Sequence, residues 1–250
     1  MTTDPEAQQA TVLADQQPET LLQRKRAKRL PAAERKAVIL REASLFFAQE
    51  GFSASTRDLA DRLGVRQALL YKYFPSKEAL LEAIFENVLA VHWVMEWAGV
   101  FADASLSTEQ KLLHFYSEHL KNEDGIGLRL FLRAALDGWP LSVRRMELVR
   151  AKMVRPLIAE MRREAKLPDY DAAPLMWGEL ELVMTLHASV IFYSMRVHIY
   201  GGDMPPDTGD VLRLYIANFL SGARETLLRL HGPEAPASLR LPVGPVKSAV

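Results

Sequence analysis

The residues of this sequence best suited to molecular recognition lie between Ser55 and Lys77. If a helix runs from about Val65 to Tyr73, then Arg66, Gln67, Tyr71 and Lys72 share its outer face. Guanidinium, amide, phenol and ammonium groups all donate hydrogen bonds, and two of these four are cationic. The inner face would hold Val65, Leu69 or Leu70, and Phe74. A second short helix precedes this one. Ser55 can cap it, and Asp58 three residues later completes a capping box. Leu59, Ala60 and Leu63 give it an apolar stripe. Gly64 stands at the corner, where only glycine turns left-handed without steric cost. Helix, tight glycine turn, helix with a polar and basic outer face is a helix-turn-helix, whose second helix enters the DNA major groove.

Other chemistries find little support. The sequence has no cysteine, so disulfides and thiolate chemistry are excluded. His114 and His119 are five apart, poor ligand spacing on a helix, and His92 is alone. His187 and His198 share one helix without an obvious acidic partner. Glu179 and Glu181, two apart, point away from each other on a helix. There is no HExxH, no Ser/His/Asp constellation and no phosphate-binding glycine loop. No metal, no cofactor and no catalytic residue is expected.

The elements that must hold the motif are helical. A first helix is expected from about Ala32 to Glu50, with Ile39, Leu40, Ala43, Phe46 and Phe47 on its apolar face. Gly51 would stop it, and Phe52 would plug the core beneath the two short helices. Ser76 can cap the next helix, from Lys77 to about Ala98, a strut roughly 30 Å long. Further helices are expected from Ser107 to Asn122, Ile126 to Asp137, Ser142 to Ala165, Ala172 to His198 and Asp207 to Leu230. Pro156 should kink or split the Ser142–Ala165 segment. No strand and no repeat stands out. The longest uncharged apolar run, Leu182 to Met195, has 14 residues and reads as a buried helix, not a membrane span. With no signal-peptide pattern at the N-terminus, a cytoplasmic protein with no membrane association is expected.

Of 250 residues, 49% are apolar, and the formal net charge is zero. The charge is unevenly placed. Residues 1–23 net −4, residues 24–85 net +6 with 13 Lys/Arg against 7 Asp/Glu, and the remainder nets −2. A basic module on a neutral body suits a protein whose N-terminal part alone meets a polyanion. The cluster Arg24–Arg29 reads either as an arm touching phosphates or the minor groove, or as a solvated charge run.

Residues Ala32 to Glu86 resemble the TetR-type transcriptional regulators. The resemblance rests on Ile39-Leu40, Ala43, Phe46-Phe47-Ala48 and Gly51-Phe52, then Thr56-Arg57, Leu59-Ala60 and Leu63-Gly64-Val65. It continues through Leu70-Tyr71-Lys72-Tyr73-Phe74, Ser76-Lys77-Glu78 and Leu80-Leu81. Family members often carry Ser-x-Gly-x-Leu-Tyr in the second short helix, where this chain has Arg66-Gln67-Ala68-Leu69-Leu70-Tyr71. The resemblance implies that Thr56 and Arg57 contact the DNA backbone and that Arg66, Gln67 and Leu69 face base edges. It implies that Tyr71, Tyr73 and Lys77 reach phosphates, with Lys72 on the same outer face. Physical reasoning agrees, since Arg reads guanine and Gln adenine through paired hydrogen bonds, while hydroxyls and Lys suit phosphate oxygens.

An all-α fold follows: a basic arm over 1–31, a three-helix DNA-binding domain over 32–78, a larger helical ligand-binding and dimerisation domain over 79–231, and a loose tail over 232–250. The body is rich in aromatic and Met side chains. Trp93, Trp97, Phe115, Phe131, Trp139, Met146, Met153, Trp177, Met184 and His187 form either an adaptable, largely apolar effector pocket or ordinary helical core. The resemblance to an effector-binding family favours the pocket. Small residues on the last two helices, at about 172–198 and 207–230, suit a homodimer built as a four-helix bundle. The expected partners are therefore a second copy, a pseudo-palindromic double-stranded operator and a small-molecule effector. The alternatives are a regulator of the same fold answering to a protein partner, and an enzyme.

Overall fold

The computed structural model describes residues 31–88, 99–121, 125–139, 141–203, 205 and 207–244. The fold is all-α. Among the described residues the one β-type pairing is a single antiparallel bridge between Met176 and Pro242. The chain divides into two compact units. Among the described residues, the head comprises those up to Phe46 and Ser53–Ile84, and the body comprises Phe47–Phe52 and those from Phe85 on.

The head holds most of α1 (Ala32–Glu50), then α2 (Thr56–Arg62), α3 (Gln67–Tyr73) and the start of α4 (Lys77–Val88). Ile39, Ala43 and Phe46 recur at helical spacing on α1 and are buried, as are Leu59 and Leu63, Leu70 and Phe74, and Leu80, Leu81 and Ile84. Each of the Leu, Ile and Phe side chains contributes roughly 1.5–3 kcal/mol on burial. Leu80, Leu81 and Ile84, on α4, group with the head as well. Two cations cap the core edge: Lys36 Nζ lies 5.4 Å from the Phe74 ring centre, and the Arg62 guanidinium 5.7 Å from that of Phe46. The part of the expected strut beyond Val88 lies outside the described residues.

In the body, α5 (Thr108–Lys121) begins at a reciprocal cap. Ser107 Oγ accepts from Gln110 N, and Gln110 Oε1 accepts from Ser107 N. Helices α6 (Ile126–Leu136), α7 (Leu141–Val149), α8 (Arg155–Ala165), α9 (Trp177–Met195) and α10 (Thr208–His231) follow. Leu112, Phe115 and Tyr116 of α5 meet Leu157 and Ile158 of α8, Val183, Leu186 and Val190 of α9, and Leu212, Ile216 and Leu227 of α10 in one core. Trp177–Tyr200 is long and apolar enough to cross a membrane by length and composition, but a third of that stretch is buried in the core.

Four local expectations are modified. The 142–165 segment is divided into two α-helices, as Pro156 led one to expect, but through a π-helical turn at Arg150–Val154 that joins α7 to α8. The wider turn sits where the Pro156 ring would clash with the carbonyl of residue 152 and where its missing N–H would break a bond. Helix α9 starts at Trp177, not Ala172, because Pro174 disfavours helix at the residue before it. The residues freed there pair with the tail. Trp177 N donates to Leu241 O at 3.0 Å and Val243 N to Leu175 O at 2.8 Å, so residues 232–244 are docked, with a 3₁₀ turn at Ala237–Arg240. Finally, Phe52 groups with the body, where its ring meets Phe47, Phe85 and Trp139 at 5.4–6.3 Å.

Two buried ion pairs brace the body. Lys111 Nζ donates to both carboxylate oxygens of Glu160 at 2.9 Å. Arg162, 1% exposed, grips Glu179, 0% exposed, through a two-pronged pair of 2.6 Å bonds. Its remaining donors reach the carbonyls of Pro168, Ala173 and Pro174, and the Tyr170 ring lies over it at 4.7 Å. His231 Nε2, at the end of α10, is 3.0 Å from Glu179 Oε1. Burial pushes the Glu179 carboxyl up, but Arg162, the Met176 N–H and His231 outweigh it and hold it below the usual carboxylate range.

Candidate nucleic-acid interface

The helix-turn-helix is set by short-range chemistry. Ser55 Oγ accepts from Asp58 N at 3.1 Å, and Asp58 Oδ2 accepts from Ser55 N at 3.3 Å, so α2 starts at a complete capping box. Gly64 takes φ +64°, where a side chain is strained, and Val65 N bonds back to Ala60 O at 3.0 Å. Arg66 precedes α3 in extended conformation as its N-cap, and no side chain caps that end. Buried Leu70 and Phe74 anchor α3, leaving its other side to solvent. Ser76 Oγ accepts from Ala79 N at 3.1 Å and caps α4, which places Lys77 in that helix's first turn.

Arg57, Arg66, Tyr71 and Lys72 are exposed, and Gln67, Leu69, Tyr73 and Lys77 half-buried. Thr56 is 6% exposed and sits at the centre of a small network. Gln67 Nε2 donates to Thr56 Oγ1 at 2.8 Å, and the Tyr71 hydroxyl lies 3.0 Å from the same oxygen. Gln67 thus spends one amide donor within the head. The spacing of eleven and fifteen residues gave no sign of this, although Gln67 and Tyr71 do stand one turn apart on α3.

The expected effector residues are scattered more widely. Phe115 and Met153 are fully buried in the body core, with Met184 half-buried against it. The buried Tyr116 hydroxyl lies 3.4 Å from His187 Nδ1 and 3.5 Å from Met153 Sδ. Burial, with the nearby charge of Arg145, pulls His187 down to about 4. His119 is pulled down to about 3 by burial, then by Arg145 and His187. Phe131 and Met146 are half-buried, with the Arg145 guanidinium 5.2 Å from the Phe131 ring centre. Trp139 packs against Phe52 and Phe85 instead, and Trp177 is 40% exposed at the start of α9. Trp93 and Trp97, like the basic cluster at 24–29, lie outside the described residues. Two open body clefts, of about 760 and 600 Å³, are lined by none of the ten.

On α9 and α10 the expected small residues divide. Ala188, Ala217, Ser221 and Gly222 are exposed, with Ser189 half-buried, while Ser194 and Ala223 are buried within the chain. Two large apolar side chains share the exposed faces, Phe192 at 52% and Leu214 at 65% exposure. Neither helix's exposed residues announced these two as prominent from the sequence pattern alone.

A capped helix, a left-handed glycine and a second helix with a cationic outer face define a helix-turn-helix protein. Residues 39–84 match the model of the bacterial regulatory proteins of the tetR family, so this stretch carries that family's module. It is similar to the uncharacterized HTH-type transcriptional regulator YvaF of Bacillus subtilis, 35% identical over 74 residues. It is similar also to the HTH-type transcriptional repressor KstR2 of Mycolicibacterium smegmatis, 33% identical over 81 residues. These alignments cover 30% and 32% of this chain and 38% of each relative's length. A TetR-like transcriptional regulator from Rhodococcus sp. RHA1 shares the fold, with a TM-score of 0.55 at 22% identity, over 78% of this chain and 100% of that one.

Proposed function

We propose that this chain is a sequence-specific, dimeric transcription regulator, acting as a repressor that leaves a pseudo-palindromic double-stranded operator when a small, largely apolar ligand binds its body. The observation that carries the DNA-binding reading is α3 itself, anchored by Leu70 and Phe74 and presenting Arg66, Tyr71 and Lys72 outward within the tetR-type module. In this reading Arg66 and Leu69 face base edges, with Gln67 between them as the first residue of α3. Thr56, Arg57, Tyr71, Lys72, Tyr73 and Lys77 lie along the backbone. The working domains are a head over 32–78 and an effector and dimerisation body over 79–231. Repression is supported by the name of the KstR2 relative, and the cytoplasm is the matching location. Both relatives are named as regulators, in keeping with a non-enzymatic role.

The effector would shift the balance between body conformations that hold the two heads at different separations, weakening operator binding by its differential affinity for the two. Phe115, Met153, Met184 and His187 are the residues through which it would act. Their close packing supports a second reading, a regulator of the same fold controlled by a protein partner.

Selection of bound duplexes from a random pool tests the function directly. The expected result is a two-fold-symmetric consensus. Arg66→Ala should then cost about 1–3 kcal/mol on the selected site and little on a scrambled one. Lys72→Ala should weaken both alike and lower the salt slope by about 1. Equal losses on both duplexes for Arg66→Ala would remove its base-reading role, and failure to enrich any sequence would remove the function.

A further inference from the structure

We propose that Gln67 positions the Tyr71 hydroxyl for the DNA backbone rather than reading a base, acting through Thr56. This rests on the DNA-binding reading above. Gln67 Nε2 can only donate, so at 2.8 Å it fills one lone pair of Thr56 Oγ1. Thr56 is 6% exposed, and a hydroxyl proton this buried needs an acceptor. Among the described residues the acceptor within reach is Tyr71 Oη, at 3.0 Å. Thr56 therefore donates to Tyr71, and the phenol accepts.

That order fixes the last proton. With its inward side taken by Thr56, the Tyr71 O–H points away from the head, in keeping with a side chain 41% exposed. An outward O–H is a donor suited to a phosphate oxygen. In the reverse order Tyr71 would donate inward and turn only lone pairs toward an anion. The amide of Gln67 selects between the two, and each bond in the chain polarises the next. Gln67 and Tyr71 stand four apart on α3, so one helical turn carries both ends of the relay onto Thr56 at the start of α2.

The test uses the full chain, its selected duplex and a scrambled duplex. Gln67→Met keeps the length of the side chain and removes the donor. It should lose about tenfold in affinity on both duplexes equally, with the selected consensus unchanged. Tyr71→Phe should lose a similar factor, and Gln67→Met added to Tyr71→Phe should cost nothing more. Thr56→Ser, which keeps the hydroxyl, should bind like the original chain, and Thr56→Val like Gln67→Met. Replacing one backbone phosphate at a time by a neutral methylphosphonate should find one position at which the Gln67→Met penalty disappears, which a merely structural role would not produce. Thermal unfolding of each variant separates misfolding from lost contact. A changed consensus, losses confined to the selected duplex, additive losses with Tyr71→Phe, or no loss at all would overturn the relay. Failure of the unmodified chain to bind any duplex would instead overturn the DNA-binding reading.

Discussion

Arg66 and Arg162 carry the same guanidinium to opposite ends of the exposure scale. Arg66 was legible from its place beside the polar, basic face of a short helix, which it precedes as N-cap. Arg162 was not, because its grip on Glu179 spans 17 residues and depends on where α8 and the first turn of α9 converge. The sequence pattern correctly set Glu179 and Glu181 on different faces but could not say that one is buried and paired. Removing one partner of such a pair leaves the other charged and buried. Arg162→Ala should therefore destabilise the protein by about 3–5 kcal/mol, and Glu179→Gln by less, because the amide still accepts from Arg162. Urea denaturation at pH 7 measures both, and equal losses would place the energy in packing rather than charge. His119 and His187 give the residue scale a pH signature. Burial first, then Arg145, lowers both from the usual 6.5, to about 3 and about 4. The unfolded chain then binds more protons between those values and 6.5, so stability falls as pH drops below about 6.5. The slope should reach about 1.4 kcal/mol per pH unit for each histidine. Glu179 titrates in the same sense but only below its usual 4.5. Denaturation curves between pH 5 and 7 isolate the histidines, and His187→Leu should flatten the slope by about half.

At the scale of elements, the helices were legible because their apolar residues repeat at helical spacing and their ends carry recognisable caps. Ser55 with Asp58, Ser107 with Gln110 and Asp207 at the start of α10 all cap as local chemistry requires. What escaped was set by contacts distant in sequence. Residues 232–244 read as a loose tail because four prolines stand between 232 and 250 and no apolar period runs through them. They are held by pairing with 175–177, and Leu230 and Leu239 close over Gly178, where a β-carbon would stand 2.5 Å from a Leu230 methyl. Arg150 adds a bond to the Gly244 carbonyl at 2.6 Å. Truncation after Gly232 should remove these bonds and uncover Leu230. At about 1 kcal/mol for each of two backbone bonds, with the apolar cover besides, the loss should be on the order of 2–4 kcal/mol. Equilibrium unfolding of the truncated chain checks this, and unchanged stability would show that the docked tail adds nothing to the body.

For the whole molecule, zero net charge concealed a basic N-terminal region on a faintly acidic remainder, and only charge counted by segment pointed to DNA. The proposed pairing between copies rested in the sequence on small residues alone, of which Ser194 and Ala223 are spent inside the chain's own core. The exposed faces of α9 and α10 instead combine Ala188, Ala217, Ser221 and Gly222, which permit close approach, with Phe192 and Leu214, which supply apolar area. A two-fold interface uses each such residue twice, so one substitution alters two places at once. If the proposed dimer uses these faces, Phe192→Glu combined with Leu214→Glu should bring four carboxylates into its interface and shift the protein to monomer, measured by sedimentation or light scattering. Neither side chain is buried in the isolated chain, so its unfolding curve should change little. A monomer offers one recognition helix to one half-site and loses the second, so affinity for the selected palindrome should fall toward that for a single half-site. A variant that stays dimeric would move the interface elsewhere, and a monomer with full affinity for the palindrome would end the two-headed account of operator binding.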